Sequence, residues 1–267
     1  GRGPGKAPHF EAEGSLLVAH AQDQGAARRV LARIQAGAQS WPQQPQALDE
    51  ARLRELEPAL HAPGLQAWLL PGEASICTIR TLTALRVQAP GVCWHWGTPV
   101  LDLKPGRLQL PSGWRDFDWV CDLRGLGARP ELPLRGVRGE VIWLHAPEVA
   151  LRRPLRLLHP RHRLYLVPRP QGQLLLGASE IESEDRSPVS LRSALELMSA
   201  AQGLLPALAE ARILRLDRNL RPALPDNHPR VEAEPGLLRI NGLYRHGWLL
   251  APALLDQALA STELDAA

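Results

Sequence analysis

The chain has 267 residues, a formal net charge of +3 and 45% hydrophobic residues. This length and composition allow two ordinary domains with their own cores. All but Lys6 and Lys104 of the 31 basic residues are arginine. The arginines are scattered among acidic residues instead of forming one patch, which argues against a nucleic-acid-binding protein.

The cysteines and the hydropathy indicate the compartment. The three cysteines are widely spaced and form no C-x-x-C pair, which is typical of reduced thiols in a cytoplasmic protein. No apolar run approaches the roughly 20 residues that cross a bilayer, and no signal-peptide pattern opens the chain. We therefore expect a cytoplasmic protein with no membrane partner.

The first half of the chain is predicted to alternate between helices and short strands. Apolar spacing and capping residues predict a strand at 14–20, a helix capped by Asp23, a helix from about Asp49, a helix at 81–87, a β-rich run at 92–96 and a strand at 118–122. The second half is more strand-like. It is predicted to contain a strand at 139–144, a hairpin of 164–167 with 173–176, a helix capped by Ser190 and a final helix at 249–259.

Two details of these elements are specific enough to test. In the helix capped by Ser190, the residues Leu191, Leu195 and Met198 are predicted to form its buried face. Strands and helices mix without strict βαβ alternation. This favours an α+β domain grafted onto an α/β domain.

Arg221 is the first candidate binding residue. It follows a predicted strand end and precedes a proline-rich turn, in the segment 219–227. A guanidinium fixed in this way suits bidentate recognition of a carboxylate, because its planar fork matches two oxygens and stays charged. Taken alone, the same residue is better explained as a structural ion pair.

The second candidate is the segment 241–252, where a loop with two glycines enters the final helix. Backbone N–H groups and the positive end of the helix dipole at such a place favour an anion or an electron-rich ring. Glycines before helices are common, so this pattern is weak without its context.

Several short motifs, taken in chain order, resemble those of the D-amino-acid oxidase superfamily of flavoproteins, with the best match to the glycine oxidases of thiamine biosynthesis. The resemblance covers nearly the whole chain and rests on the order of the motifs. They are Leu56-Glu57-Pro58, Pro71-Gly72-Glu73, Thr98-Pro99-Val100, Arg124-Gly125-Leu126-Gly127, Val137-Arg138-Gly139-Glu140, Leu158-His159-Pro160-Arg161, Tyr165-Leu166-Val167-Pro168-Arg169, Gly177-Ala178-Ser179-Glu180, and the segments 219–227 and 242–252.

The resemblance implies a two-domain D-amino-acid oxidase-like fold, α+β and α/β, that binds FAD. An antiparallel-sheet substrate domain would comprise 10–70 and 132–215. The rest of the FAD-binding domain would comprise 71–131 and 216–262.

The resemblance also implies roles for individual residues. Arg221 would clamp the substrate carboxylate, Tyr165 would help to fix it, and Arg245 would lie beside the flavin and the substrate. Backbone groups would surround the cofactor at Gly242, Arg245, His246, Gly247, Trp248 and Leu249. Val100 would lie near the adenine end, and Gly125 would allow a close approach to the cofactor.

The reaction implied is oxidation of glycine or a similar small amine to an imine, and then to an oxo acid and ammonia, with formation of hydrogen peroxide. It depends on orientation more than on acid–base chemistry. His246 is the nearest candidate base, but a solvated or core-bonded histidine explains it better.

Two other patterns are set aside. His159 and His162 have a spacing seen among metal ligands, yet no cysteine or carboxylate completes a site, so no metal is expected. The acidic run Glu180, Glu182, Glu184 and Asp185 is read as a solvated loop, although the resemblance places Glu180 among pocket-lining residues.

Relatives in the superfamily open with a strand, a G-x-G-x-x-G turn and a helix. Gly1, Gly3 and Gly5 have the wrong spacing, and Pro130 stands where the Gly125-Leu126-Gly127 run needs a third glycine. The dinucleotide-binding segment of the superfamily is therefore not found in this sequence. For these residues alone we expect weak or absent FAD binding and little oxidase activity, and a strand at Trp119 to Asp122 with an exposed edge.

Three functions remain open. The chain is an oxidase of glycine or a similar amine, a related dehydrogenase that uses another electron acceptor, or a non-catalytic relative that binds a small carboxylate. The oligomeric state is also open, although members of the superfamily often assemble.

Overall fold

The computed structural model describes residues 10–37, 44–60, 64–160 and 163–262, except for the side chain of Arg163. The chain forms two compact units. Unit 1 comprises Gly1–Val92, Glu140–Ser179 and Ser187–Arg218, and unit 2 comprises Cys93–Gly139, Glu180–Arg186 and Asn219–Ala267. Residues 71–92, which the sequence analysis assigned to the flavin-binding part, belong to unit 1. The assignment of the parts to substrate and cofactor stays a prediction.

The described strands and helices follow in chain order. The strands are β1 (Phe10–Glu11), β2 (Ser15–His20), β3 (Gln46–Leu48), β4 (Leu65–Leu70), β5 (Ser75–Ile76), β6 (Asp102–Lys104), β7 (Arg107–Leu110), β8 (Gly113–Asp116), β9 (Val120–Asp122), β10 (Arg135–His145), β11 (Leu155–Leu158), β12 (Arg163–Arg169), β13 (Gln173–Gly177), β14 (Arg212–Ala223), β15 (Arg230–Glu234) and β16 (Leu237–Asn241). The α-helices are α1 (Gln24–Gly37), α2 (Glu50–Leu56), α3 (Thr78–Gln88), α4 (Leu191–Leu204) and α5 (Gly247–Ala260). Among these residues, none of the helices is long and apolar enough to cross a bilayer.

Most of unit 1 is built on a large sheet with the strand order β14-β10-β13-β12-β11-β2-β4-β3. Strands β2 and β11 pair parallel, while β10–β13, β13–β12, β12–β11, β2–β4 and β4–β3 pair antiparallel. The predicted β12–β13 hairpin is confirmed, and its turn has positive φ at Gln171 and Gly172. Leucines on these strands are buried against α4 and form the main core of the unit.

The capping of α4 was predicted correctly, but its buried face only in part. The Ser190 side chain accepts a hydrogen bond from the Ser193 N–H. Met198 is partly buried against the main core, whereas Leu191 and Leu195 are exposed. The buried residues of the helix are Ser193, Ala194, Leu197, Ala201 and Leu204. The spacing of large apolar residues misled the prediction, because small residues make up much of the buried face.

Unit 2 contains two small sheets. One has the order β15-β16-β9, with β9 parallel to β16, and the other has the order β6-β7-β8. The Gly236 carbonyl joins them, since it accepts hydrogen bonds from the N–H groups of Gly106 at 2.9 Å and Val120 at 3.0 Å. Val120, Leu103 and Leu237 form a small core there.

The β-rich run predicted at 92–96 is wrong. These residues adopt no regular structure, and the rings of Trp94 and Trp96 stack with their centroids 5.6 Å apart. Bulky aromatic residues are frequent in strands, but here no neighbouring backbone pairs with the run.

Candidate functional site

Arg221 lies near the end of β14 in unit 2, and its guanidinium is seated against a glycine of β10. A Cβ atom added to Gly139 would lie 2.2 Å from Nη2, 2.3 Å from Cζ and 2.5 Å from Nη1 of Arg221. Nη1 is also 3.4 Å from the Arg138 carbonyl oxygen, to which it donates. The guanidinium therefore crosses β10 at a place where only glycine leaves room for it.

The loop that carries Arg245 is tied to the end of the same strand. The Tyr244 N–H donates to the Pro222 carbonyl at 3.1 Å. Tyr244 has a φ of 51°, a left-handed conformation that is uncommon for a residue with a side chain. The segments of Arg221 and Arg245 are thus neighbours within unit 2.

Glu180 joins this loop through its carboxylate. Oε1 accepts a hydrogen bond from the Tyr244 hydroxyl at 2.5 Å, and Oε2 forms an ion pair with Nη1 of Arg245. Burial, followed by the hydrogen bond to Glu180, raises the pKa of Tyr244, so its hydroxyl keeps the proton that it donates.

A short antiparallel bridge between Ile181 and Arg138 fixes the Glu180 backbone beside the part of β10 on which Arg221 packs. The Arg138 N–H donates to the Ile181 carbonyl at 2.9 Å, and the Ile181 N–H donates to the Arg138 carbonyl at 3.0 Å. Four segments of unit 2, at 138–139, 180–181, 221–222 and 244–245, are therefore connected by hydrogen bonds into one cluster.

The acidic run after β13 is exposed, as the sequence suggested, but each of its carboxylates is paired with a different arginine. The ion pairs, besides Glu180 with Arg245, are Glu182 with Arg135 at 3.0 Å, Glu184 with Arg129 at 2.9 Å and Asp185 with Arg138 at 3.4 Å. These partners are 47 or more positions away in the chain, so local sequence carried no signal of them.

Tyr165 lies in unit 1, on β12, and it too is seated on a glycine. Gly177 is its partner across β12 and β13. A Cβ atom at Gly177 would lie 2.5 Å from Cζ and from the hydroxyl oxygen of Tyr165. The role predicted for this tyrosine at the substrate carboxylate stays a prediction.

A buried asparagine that sequence reasoning left out of the site holds two of the predicted cofactor-binding segments together. The Asn241 Nδ2 group donates to the Gly125 carbonyl at 3.0 Å, and its Oδ1 accepts from the Gly242 N–H at 2.8 Å. Gly125 and Gly242 both have positive φ, which glycine adopts without strain. The signal was present in the Asn-Gly dipeptide, because such pairs are typical of tight turns.

The α5 N-terminus begins in this region, at Gly247. The N-cap residue His246 makes no side-chain capping hydrogen bond. Its carbonyl accepts from the N–H groups of Leu249 at 3.1 Å and Leu250 at 2.9 Å, while its side chain is exposed. Trp248 and Leu249 are 46% and 77% exposed. The helix therefore presents a positive dipole end beside apolar surface.

The remaining predicted positions are of two kinds. Val100 is partly buried and packs against the small core of Leu103, Val120 and Leu237. His159 lies 3.8 Å from the Asp23 carboxylate, and His162 lies outside the described residues, as do Gly1, Gly3 and Gly5. Within the described ranges no group of three or more potential metal-ligating side chains occurs.

The comparison with known families assigns the chain to the flavin-dependent oxidoreductases. The chain belongs to the DAO family of FAD dependent oxidoreductases, whose model matches residues 3–257. The resemblance found in the sequence is thereby confirmed, and FAD is the cofactor of this family.

Individual relatives are more specific. The chain is 40% identical over 255 residues to a protein of Rhizobium etli named as thiamine biosynthesis oxidoreductase ThiO. The alignment covers 93% of this chain and 71% of that protein. It is 28% identical over 222 residues to glycine oxidase of Geobacillus kaustophilus, with 77% of this chain and 58% of that protein covered.

Solved structures show the same mixed α/β fold. Glycine oxidase of Geobacillus kaustophilus superposes with a TM-score of 0.79 at 24% identity, over 95% of this chain and 72% of that chain. Iminodiacetate oxidase of Chelativorans sp. BNC1 superposes with a TM-score of 0.81 at 22% identity, over 94% and 72% of the two chains.

The residues of unit 2 fit a flavin. The glycine-bearing loop at 241–247 adds little side-chain bulk, and the α5 N-terminus offers a positive dipole end to an electron-rich ring. A Cβ atom added to Gly247 would meet its nearest neighbour, the Leu243 side chain, at 3.8 Å, an ordinary van der Waals contact, so this point is not crowded. Exposed Trp248 and Leu249 supply the apolar surface that a ring system requires.

Proposed function

We propose that this protein oxidises the amine of glycine or a similar small amino acid, with FAD as cofactor, and that it serves thiamine biosynthesis. The products are an imine, which water converts to an oxo acid and ammonia, and hydrogen peroxide. The observation that carries the proposal is the packing of the Arg221 guanidinium against Gly139. The strand that carries Arg221 is joined to the Arg245 loop by the hydrogen bond from the Tyr244 N–H to the Pro222 carbonyl. The names of the relatives support the substrate class.

In this proposal Arg221 binds the substrate carboxylate. Its guanidinium donates a hydrogen bond to the Arg138 carbonyl and packs against Gly139. Little side-chain freedom is therefore lost when the substrate binds. Arg245 flanks the same place from its loop, and Tyr165 keeps the role predicted for it.

Orientation of the reacting carbon is then the main contribution of the protein. The flavin, when bound, supplies the acceptor for the hydride that leaves the substrate Cα. Gly242, His246, Gly247, Trp248 and Leu249 would hold the ring through backbone groups, and the α5 dipole favours negative charge at that end. Val100 and Gly125 keep the adenine-end and close-approach roles implied by the resemblance.

The first experiment is an absorption spectrum of the purified chain after incubation with FAD and removal of the excess. A flavin band that bleaches when glycine is added without oxygen supports the proposal. Recovery of the band on admission of air supports an oxidase, whereas recovery only with an artificial acceptor indicates a dehydrogenase. A chain that retains no flavin is not a working oxidase as it stands, although it still belongs to the family; acetate binding through Arg221 in that chain supports the non-catalytic alternative.

Replacement of Arg221 tests its role. We expect Arg221→Ala to raise the apparent KM for glycine by about 10- to 100-fold, because one charge-assisted, bidentate contact is lost. Flavin content should stay at the wild-type level. Arg218→Ala is the matched control, since Arg218 lies on the same strand, is exposed and donates to the Ser187 carbonyl. Equal KM values for the two variants would contradict the assignment.

A further inference from the structure

Glu180 is the one carboxylate of the acidic run that pairs with a predicted substrate-site residue. It contacts two consecutive residues of one loop, the Tyr244 hydroxyl and the Arg245 guanidinium. The side chains of Glu180 and Arg245 are 28% and 38% exposed, so the pair lies where a small molecule from solvent can reach it.

The geometry of the loop holds this pair in place. Tyr244 has positive φ and is fixed by its N–H to the Pro222 carbonyl. Glu180 is fixed from the other side, because Ile181 forms the two-hydrogen-bond bridge with Arg138. The backbone is therefore fixed on both sides of the ion pair, and the Tyr244 hydroxyl also holds the Glu180 carboxylate. Less side-chain freedom is lost in forming this pair than in an isolated, partly exposed pair.

The charges then decide what the cluster attracts. With Glu180 ionised, its negative charge offsets the positive charge of Arg245, and one N–H group of Arg245 is already engaged. A second carboxylate on a ligand bound at Arg221 would meet the Glu180 carboxylate as well as Arg245, and like charges brought together in this way disfavour binding.

We propose that Glu180 is a specificity-determining residue that restricts the site to ligands with a single carboxylate and disfavours dicarboxylates. This inference rests on the proposed function, because it takes Arg221 as the group that binds the first carboxylate. It adds a substrate class to that function: small amino acids with an uncharged side chain or none, and not amino or imino diacids.

Acetate and malonate are the appropriate probes, because malonate is acetate with one added carboxylate. Their dissociation constants would be measured by isothermal titration calorimetry on the protein incubated with FAD, for the wild type and for Glu180→Gln. Glutamine keeps the size of the side chain and an acceptor for Tyr244, and it removes only the charge. We expect Glu180→Gln to increase the affinity for malonate about tenfold relative to that for acetate. The repulsion between Glu180 and the second carboxylate is removed, and the attraction by Arg245 remains.

Glu182→Gln is the matched control. Glu182 lies two positions away and pairs with Arg135, which belongs to no proposed binding role, so the malonate-to-acetate ratio should stay at the wild-type value. Glu180→Ala is the second variant, and it should shift the ratio in the same direction as Glu180→Gln. Thermal unfolding of each variant establishes that it is folded.

The outcomes separate the two proposals. An unchanged ratio in both Glu180 variants, with acetate still bound through Arg221, overturns the inference and leaves the proposed function intact. Acetate binding that is insensitive to Arg221→Ala removes the proposed role of Arg221 and the inference with it. A shift of the ratio that appears equally in Glu182→Gln also overturns the inference, because it would reflect net charge and not the position of Glu180.

Discussion

At the scale of single residues, a glycine in each unit leaves room for the side chain of a predicted site residue. Gly139 and Gly177 each occupy a strand position where a methyl group would overlap a neighbouring side chain, the guanidinium of Arg221 or the ring of Tyr165. The overlapping atoms are side-chain ends and not backbone. A substitution should therefore displace the functional group before it unfolds the strand.

Gly139→Ala tests this arrangement. The added methyl group must push the Arg221 guanidinium away from β10, so we expect the apparent KM for glycine to rise about tenfold or more, since displacement by ~1 Å is enough for such a loss. The free energy of unfolding should change by less than about 1 kcal/mol. Gly203→Ala is the control, because open space surrounds Gly203 in α4. There alanine should stabilise the protein by about 0.5–1 kcal/mol without affecting KM.

At the scale of elements, α4 shows how a capping residue and a packing face act separately. Ser190 Oγ accepts from the Ser193 N–H at 3.1 Å, while small residues bring the helix close to the sheet. We expect Ser190→Ala to lower the free energy of unfolding by about 1 kcal/mol, as for other lost N-caps, measured by urea denaturation followed by circular dichroism. Ser190→Asn restores the acceptor and should recover most of that loss. If alanine and asparagine are equally destabilising, the side-chain cap is unimportant.

At the scale of the whole molecule, the two units should respond to acid in opposite ways. In unit 2, burial alone would raise the pKa of Asp122, but hydrogen bonds from Arg124 and the charges of Arg124 and Arg239 hold it below its ordinary value. Ionised Asp122 therefore stabilises the folded state above about pH 4, and this contribution is lost as the pH falls through the folded-state pKa.

Glu57 in unit 1 has the opposite sign. Burial raises its pKa, although hydrogen bonds from Arg152 and Arg153 partly compensate. Its contribution to stability is thus fully present at low pH and is lost as the pH rises through the folded-state pKa. The measurement is hydrogen–deuterium exchange between pH 6 and pH 3, corrected for intrinsic rates. As the pH falls, the amides of β9 and β16 in unit 2 should lose protection before those of β2 and β11 in unit 1. Asp122→Asn should flatten the response of β9, and an equal loss in both units would refute the prediction.

Much of the local structure was readable from the sequence. The Ser190 cap, the β12–β13 hairpin and the helix after the 241–247 loop follow from capping chemistry, turn residues and apolar spacing, all of which act over a few positions. The helix expected after Asp23 is α1, but Asp23 itself lies in the short 3₁₀ turn Ala21–Asp23 that leads into it. The order of the motifs indicated the family, because the same backbone constraints recur in the same order along related chains.

The tertiary structure alone decided the pairing of charges and the seating of the site residues. Glu180 meets Arg245, and Arg221 meets Gly139, across 65 and 82 positions of chain. A carboxylate and a guanidinium in a sequence carry no record of which partner faces them, because ion pairing depends on distance in space and not on order along the chain. For the same reason the sequence predicted the exposure of the acidic run correctly but did not predict the four arginines that pair with it.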